Sequence, residues 1–144
     1  MPISSIEGPA DRISLVVVGA HLTGMPLNPE LTALGARLER SCTTAPEYRL
    51  YELPGAEPRK PGLLRVPKGE GCAIAVEVWS LAPASFGLFV SRIPAPLGVG
   101  SVILEDGTQA KGFLVEAVAV RDARDISAFG GWEAYRASVL PVAI

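Results

Sequence analysis

Glycine and proline break this chain at such short intervals that no long helix can form. The 15 glycines and 13 prolines among 144 residues recur without a period. The lack of period excludes collagen, and because both residues interrupt helix interiors, coiled coils and long bundles are excluded too. Such a chain folds through short strands, many turns and few helices. Hydrophobic residues (49%) far outnumber charged ones (19%), which excludes intrinsic disorder. The length suits one domain, whose core would bury roughly two-thirds of the unfolded surface.

Charge and cysteine content narrow the classes further. A net charge of −2 with no cluster of Lys or Arg leaves no electrostatic footprint for nucleic acid. Cys42, Cys72 and one histidine cannot assemble a Cys/His metal quartet, and no cofactor motif is present, so neither metal nor cofactor is expected. A disulfide and two free thiols both remain open, thiols being the expectation for a cytoplasmic chain. Met1 to Arg12 is a polar lead-in without an apolar signal core. The longest apolar run, Ile13 to Ala20, has strand length, so no membrane span is expected.

From residue 13 to 144 the chain reads as one domain. Ile13–Val18 is β-branched and apolar on both faces, the pattern of a central strand. A loop from Gly19 to Asn28 comes next. Asn28 reads as an N-cap, with Pro29 at the first helical position, Glu30 in the first turn and Gly35 as the stop. Ala36–Thr43, Tyr48–Leu53, Leu63–Val66 and Ala73–Ser80 read as strands. Pro83–Val90 reads as a short helix and Pro94–Gly100 as a rigid connector. Val102–Leu104 and Gly112–Val120 read as a hairpin, Asp125–Ala137 as a region holding a helix, and Val139–Ile144 as a last strand or tail. The class is α+β, a sheet curled toward a barrel by its glycines.

The Gly19–Asn28 loop is the most informative segment. A glycine-punctuated turn between a buried strand and a helix exposes backbone N–H groups that favour a carboxylate; a tight turn with no ligand reads equally well. Rossmann, Walker A and Gly-x-Ser-x-Gly patterns are absent. His21, the sole histidine, lies in this loop and suits proton transfer, or else hydrogen-bonds the loop. Tyr48 and Tyr51 fall on opposite strand faces, so at most one can face a pocket. Glu77 shares a face with Trp79 and reads as a cavity wall or a solvent-facing edge residue. Lys111 could neutralise a bound acid or lie on the surface. Phe86, Phe89 and Trp132 read as core.

Several segments together resemble a known family. Val18-Gly-Ala-His-Leu-Thr-Gly-Met-Pro-Leu-Asn28, Tyr48-Arg-Leu-Tyr51, Lys60-Pro-Gly-Leu63, Val76-Glu-Val-Trp79, Phe86-Gly-Leu-Phe-Val90, Ile93-Pro-Ala-Pro-Leu-Gly98, Gly112-Phe113 and Gly130-Gly-Trp-Glu-Ala-Tyr135 occur in the order seen in the C-terminal domain of allophanate hydrolase. The resemblance runs from Leu15 to Tyr135. It implies a γ-glutamylcyclotransferase-like fold, a small mixed β-barrel with two or three short helices, whose first strand-to-helix loop binds the substrate's acid group. The cyclotransferases carry a catalytic glutamate after the strand matching Val76–Ser80, whereas Leu81–Gly87 here holds no acid. That departure speaks against cyclotransferase chemistry, which would have to use Glu77 instead. A chain of this length also has no room for the Ser-Ser-Lys amidase that precedes the domain in allophanate hydrolase.

The resemblance implies the family's second step, decarboxylation of N-carboxycarbamate beside a separate amidase chain. On this expectation His21 is catalytic. Gly19, Ala20, Leu22, Thr23, Gly24, Met25, Asn28, Tyr51, Glu77 and Lys111 bind substrate, with the N–H groups of Leu22 to Met25 on one carboxylate. The alternative is a non-catalytic module that binds a small acid or tethers an amidase. A homo-oligomer is compatible with either reading.

Overall fold

The computed structural model describes residues 11–55 and 57–139. In chain order the elements are β1 (Ile13–Val17), α1 (Asn28–Thr32), β2 (Arg37–Thr43), β3 (Tyr48–Glu52), β4 (Pro61–Arg65), β5 (Ala75–Leu81), α2 (Pro83–Ser91), β6 (Leu97–Ile103), β7 (Gln109–Val115), α3 (Ala117–Val120), β8 (Arg124–Asp125) and α4 (Trp132–Val139). A single 3-10 turn, Ser127–Phe129, precedes α4. The class is α+β, as the alternation of short strands and punctuated helices requires.

Five strands form one sheet in the order β2-β5-β1-β7-β6, and three form a second in the order β4-β3-β8. The apolar β1 takes the centre, antiparallel to β5 and parallel to β7, and Leu15, Val16 and Val17 are fully buried. The large sheet curls until its two edges meet. Thr44, just past β2, bridges Leu104, just past β6. The Ala45 N–H donates to the Ile103 carbonyl (2.9 Å) and the Glu105 N–H to the Thr43 carbonyl (3.0 Å). Inside this junction the Ile103 N–H donates to the hydroxyl of Tyr48, itself fully buried at the root of β3 (2.9 Å). Tyr48 therefore ties the small sheet to the closing edge.

Strand register and one close backbone approach position the β1–α1 loop. Val17 pairs with Glu77, so the glutamate stands where β1 runs out into the loop. Gly19 then passes so close to the Pro61 ring that a Cβ there would overlap its Cγ and Cδ atoms. Only glycine permits that contact between the loop and β4. The helix after the loop is shorter than the leucine spacing suggests. It ends at Thr32, and Gly35, with φ of 79°, closes it through an Ala36 N–H to Leu31 carbonyl bond (3.1 Å).

Three segments differ from the sequence reading. The Pro94–Gly100 connector is a turn only as far as Pro96; from Leu97 it pairs along β7, because Leu97 and Val99 alternate with glycines that fit the ladder. The Gly112–Val120 strand stops at Val115, and Ala117–Val120 turns into α3, leaving Val118 exposed. Asn28 is already helical, with Leu27 as the capping residue, and its side chain donates to the His21 carbonyl instead (2.9 Å). Of the last segment, Val139 ends α4, while 140–144 and most of the polar lead-in lie outside the described residues. No helix among the described residues is long and apolar enough to cross a membrane.

Candidate functional site

The loop between β1 and α1 divides into two stretches with opposite hydrogen-bonding states. In the second, the Leu22 N–H donates to the Gly19 carbonyl (3.0 Å) and the Met25 N–H to the Leu22 carbonyl (2.9 Å). The Thr23 N–H donates to Glu77 Oε1 (2.8 Å). Three of the four N–H groups expected to hold a carboxylate are thus already engaged, because the loop folds into tight turns. In the first stretch, the N–H groups of Gly19, Ala20 and His21 have no partner among the described residues. These three residues line a cavity of about 200 Å³.

His21 is held in that cavity by three side chains. Its ring stacks on Phe113 of β7 (centroids 5.3 Å apart) and meets Phe89 of α2 edge-on (5.0 Å). Its Nε2 lies 2.8 Å from Glu30 Oε1 of α1. The histidine side chain is 14% exposed and the glutamate 56%. Burial among apolar rings pushes the imidazole pKa below its ordinary 6.5, and Glu30 opposes that shift without cancelling it. At neutral pH the ring is therefore chiefly neutral, with Nε2–H donating to the carboxylate. Lys60 and Arg92 complete the charged part of the lining, two cations set against the one carboxylate.

Glu77 occupies the other side of the loop. One oxygen, Oε1, accepts from the Thr23 N–H (2.8 Å), the Thr23 hydroxyl (3.1 Å) and Trp79 Nε1–H (3.0 Å). Glu77, Leu22 and Thr23 line a separate cavity of about 300 Å³ that reaches Trp132 and Glu133 of α4. Lys111 lies elsewhere again, donating to Ser101 Oγ (3.1 Å) in an open groove with Glu39 and Arg40. Tyr51, opposite Gly62 and Asp125 in the small sheet, does not line the His21 cavity, nor do Thr23, Gly24 and Met25. Asn28 reaches the site only through the His21 carbonyl. Both cysteines are free thiols. Among the described residues no cluster of His, Cys, Asp or Glu could hold a metal ion.

Gly19, Ala20 and His21, grouped together in the sequence reading, line one cavity with Glu30, Lys60, Arg92, Phe89 and Phe113, which the reading did not place there. Glu30 read only as a first-turn acid, because its pairing with His21 depends on the tight loop between them. Lys60 opens the Lys60-Pro-Gly-Leu63 segment that carried the resemblance, and Arg92 directly precedes the one from Ile93; that placement was the available signal.

Comparison with known proteins gives a consistent result. A model of the family described as "Allophanate hydrolase C-terminal domain" matches residues 13–137. Urea amidolyase of Lachancea kluyveri is 42% identical over 130 residues, which is 88% of this chain and 7% of that protein. Among solved structures, the S177A allophanate hydrolase of Kluyveromyces lactis superposes with a TM-score of 0.85 and 41% identity, over 89% of this chain and 21% of that one. A protein described as specific to uropathogenic E. coli gives 0.80 and 32%, covering 90% of this chain and 98% of its own. A γ-glutamyl cyclotransferase at 8% identity and TM-score 0.55 shares the fold alone. The chain thus spans a small part of the urea amidolyase and allophanate hydrolase chains it matches.

Proposed function

Because this chain belongs to the allophanate hydrolase C-terminal domain family, we propose that it binds a small dicarboxylate-like anion in the His21 cavity and assists decarboxylation of N-carboxycarbamate, beside a separate amidase, in allophanate breakdown. The observation that carries this reading is the pairing of unengaged N–H groups at Gly19, Ala20 and His21 with Lys60 and Arg92 in one cavity. N-carboxycarbamate holds two carboxylates on one nitrogen. One carboxylate takes the N–H row and the other takes the cations, which leaves the nitrogen beside the imidazole.

The step then balances simply. The C–N bond to one carboxylate breaks and carbon dioxide leaves. The electron pair stays on nitrogen, which receives one proton from His21, and carbamate remains. The imidazole must first gain that proton, since burial keeps it neutral in the empty cavity. An entering dianion supplies the missing incentive, because nearby negative charge favours the imidazolium. Glu30 fixes the ring through Nε2 and stabilises the charged form. The rings of Phe89 and Phe113 shelter the imidazole, which strengthens charge interactions at the ring itself.

Two measurements test this. Malonate, a stable mimic of the dianion, should raise the thermal midpoint of the chain, and Lys60→Ala should weaken that effect. Carbon dioxide release from enzymatically generated N-carboxycarbamate should exceed the spontaneous rate and return to it in His21→Ala. The neutral state of His21 favours one competing reading, a binding or tethering module. Malonate binding with no acceleration at all would select that reading and end the catalytic one.

A further inference from the structure

The His21 cavity does not end at Lys60. A second cavity of about 440 Å³ abuts it, and Lys60, Pro94 and Leu97 belong to the walls of both. Beyond those shared residues the wall is rich in proline, and Ala119 of α3 and Arg59 of the β3–β4 connection also line it. Arg59 is poorly satisfied for so sheltered a cation. Its Nη2 lies 3.4 Å from both the Leu53 carbonyl and Glu52 Oε2, and its Nε is shielded from solvent with no partner among the described residues. The side chain is nonetheless 30% exposed and borders the cavity, so an acceptor there can reach it. The acid on this wall, Glu57, is 72% exposed, and its Oε1 accepts from the Arg59 backbone N–H (3.3 Å) and lies 4.0 Å from Arg136 Nη2.

We propose that the two cavities form one extended site for a linear dicarboxylate longer than N-carboxycarbamate. One carboxylate takes the Gly19–His21 end, the methylene chain runs past Lys60 along Pro94 and Leu97, and the far carboxylate engages Arg59. This rests on the reading of the His21 end as an anion site. Size supports it: at about 200 Å³ the His21 cavity falls below the roughly 300–1,000 Å³ of ordinary ligand pockets, and the joined space falls within that range. Chemistry supports it too. A proline-lined wall offers nothing to a short polar dianion, but it rewards burial of methylene groups. Arg59 then receives a charge-assisted, bidentate partner in place of two long contacts.

Isothermal titration of the full chain with malonate, glutarate, adipate and pimelate tests the proposal, with hexanoate as the one-headed control. Affinity should rise from malonate to its maximum in the longer acids by about tenfold or more, the order of one charge-assisted hydrogen bond. Hexanoate should gain less than adipate. Arg59→Met should abolish the gain while leaving malonate affinity within about twofold, because the far end is remote from the His21 contacts. Ala119→Phe, which adds bulk at the wall of the second cavity and leaves the Arg59 charge in place, should do the same. Malonate binding tightest of the series, or a gain that survives both variants, overturns the extended site while leaving the His21 site standing. Failure of every acid to bind overturns both.

Discussion

Residues 19–21 and residues 22–25 belong to one loop, yet they present opposite chemistry. The N–H groups of the first three have no partner among the described residues, and their histidine is held by rings and one carboxylate. Three of the next four turn their N–H groups inward, and Glu77 Oε1 accepts from the Thr23 N–H and hydroxyl as well as from Trp79. With three donors on it, that oxygen has little acceptor capacity to spare. His21 has a second ring nitrogen, a pKa displaced by burial and a cavity in front of it. The difference shows how a short loop separates its scaffold from its site: one half is fixed by hydrogen bonds so that the other half can remain unsatisfied.

The sharpest way to break this division is to disturb the point where both halves are anchored. A methyl group at Gly19 would enter the Pro61 ring, and neither the ring nor the β4 backbone beneath it can yield easily. Gly19→Ala should cost about 3 kcal/mol of folding free energy, read from urea denaturation, at the upper end of ordinary overpacking. Malonate binding by the remaining folded protein should fall with it. A neutral result would show that the contact is not needed.

A pair of isosteric changes should then separate the halves. His21→Gln should lower carbon dioxide release by about 100-fold or more, the scale of a lost general acid, with a smaller change in stability. Glu77→Gln should do the reverse. It keeps an oxygen for Thr23 and Trp79 but exchanges charge-assisted bonds for neutral ones, which should cost about 1–2 kcal/mol of stability. Turnover per folded molecule should change little. If Glu77→Gln abolishes turnover in a fully folded chain, the glutamate belongs to the reacting half and the division fails.

Much of this arrangement was legible before any coordinates. The central place of β1 followed from an apolar run without alternation, and the importance of the loop followed from glycines around a sole histidine. What stayed hidden depended on long-range register. Glu77 read as a cavity wall or a solvent-facing edge residue, and only its pairing with Val17 set it beside Thr23. Lys111 looked available until the parallel register with Leu15 turned it into a different groove. The connector at Pro94–Gly100 hid half a strand because its glycines, read as turn residues, serve the ladder opposite Gly112. Local pattern revealed which segments mattered; only pairing revealed which side chains meet.

The same contrast should appear as a dependence of stability on pH. His21 titrates at its ordinary 6.5 in the unfolded chain and lower in the fold, so between those values the unfolded state binds more protons. Stability contributed by the neutral, buried ring is therefore present above pH 6.5 and is lost as pH falls below it, until the folded pKa is passed. The slope cannot exceed about 1.4 kcal/mol per pH unit for one group. Subtracting the curve of His21→Gln from that of the parent chain isolates it. An unchanged difference between pH 5 and 8 would show that burial does not shift the ring.

The smallest effect is also the most specific to the reacting half. If a dianion restores the imidazolium, binding must draw protons from solution near pH 7, by up to about one per site. Malonate titrations in buffers of different ionisation enthalpy measure that number directly, since the apparent heat varies linearly with it. Uptake should vanish in His21→Gln and persist in Glu77→Gln. It should shrink in Glu30→Gln, because the carboxylate that shares Nε2 helps hold the added proton. Uptake equal in all three variants would place the proton on another group and remove His21 from the reaction, even with the anion site intact.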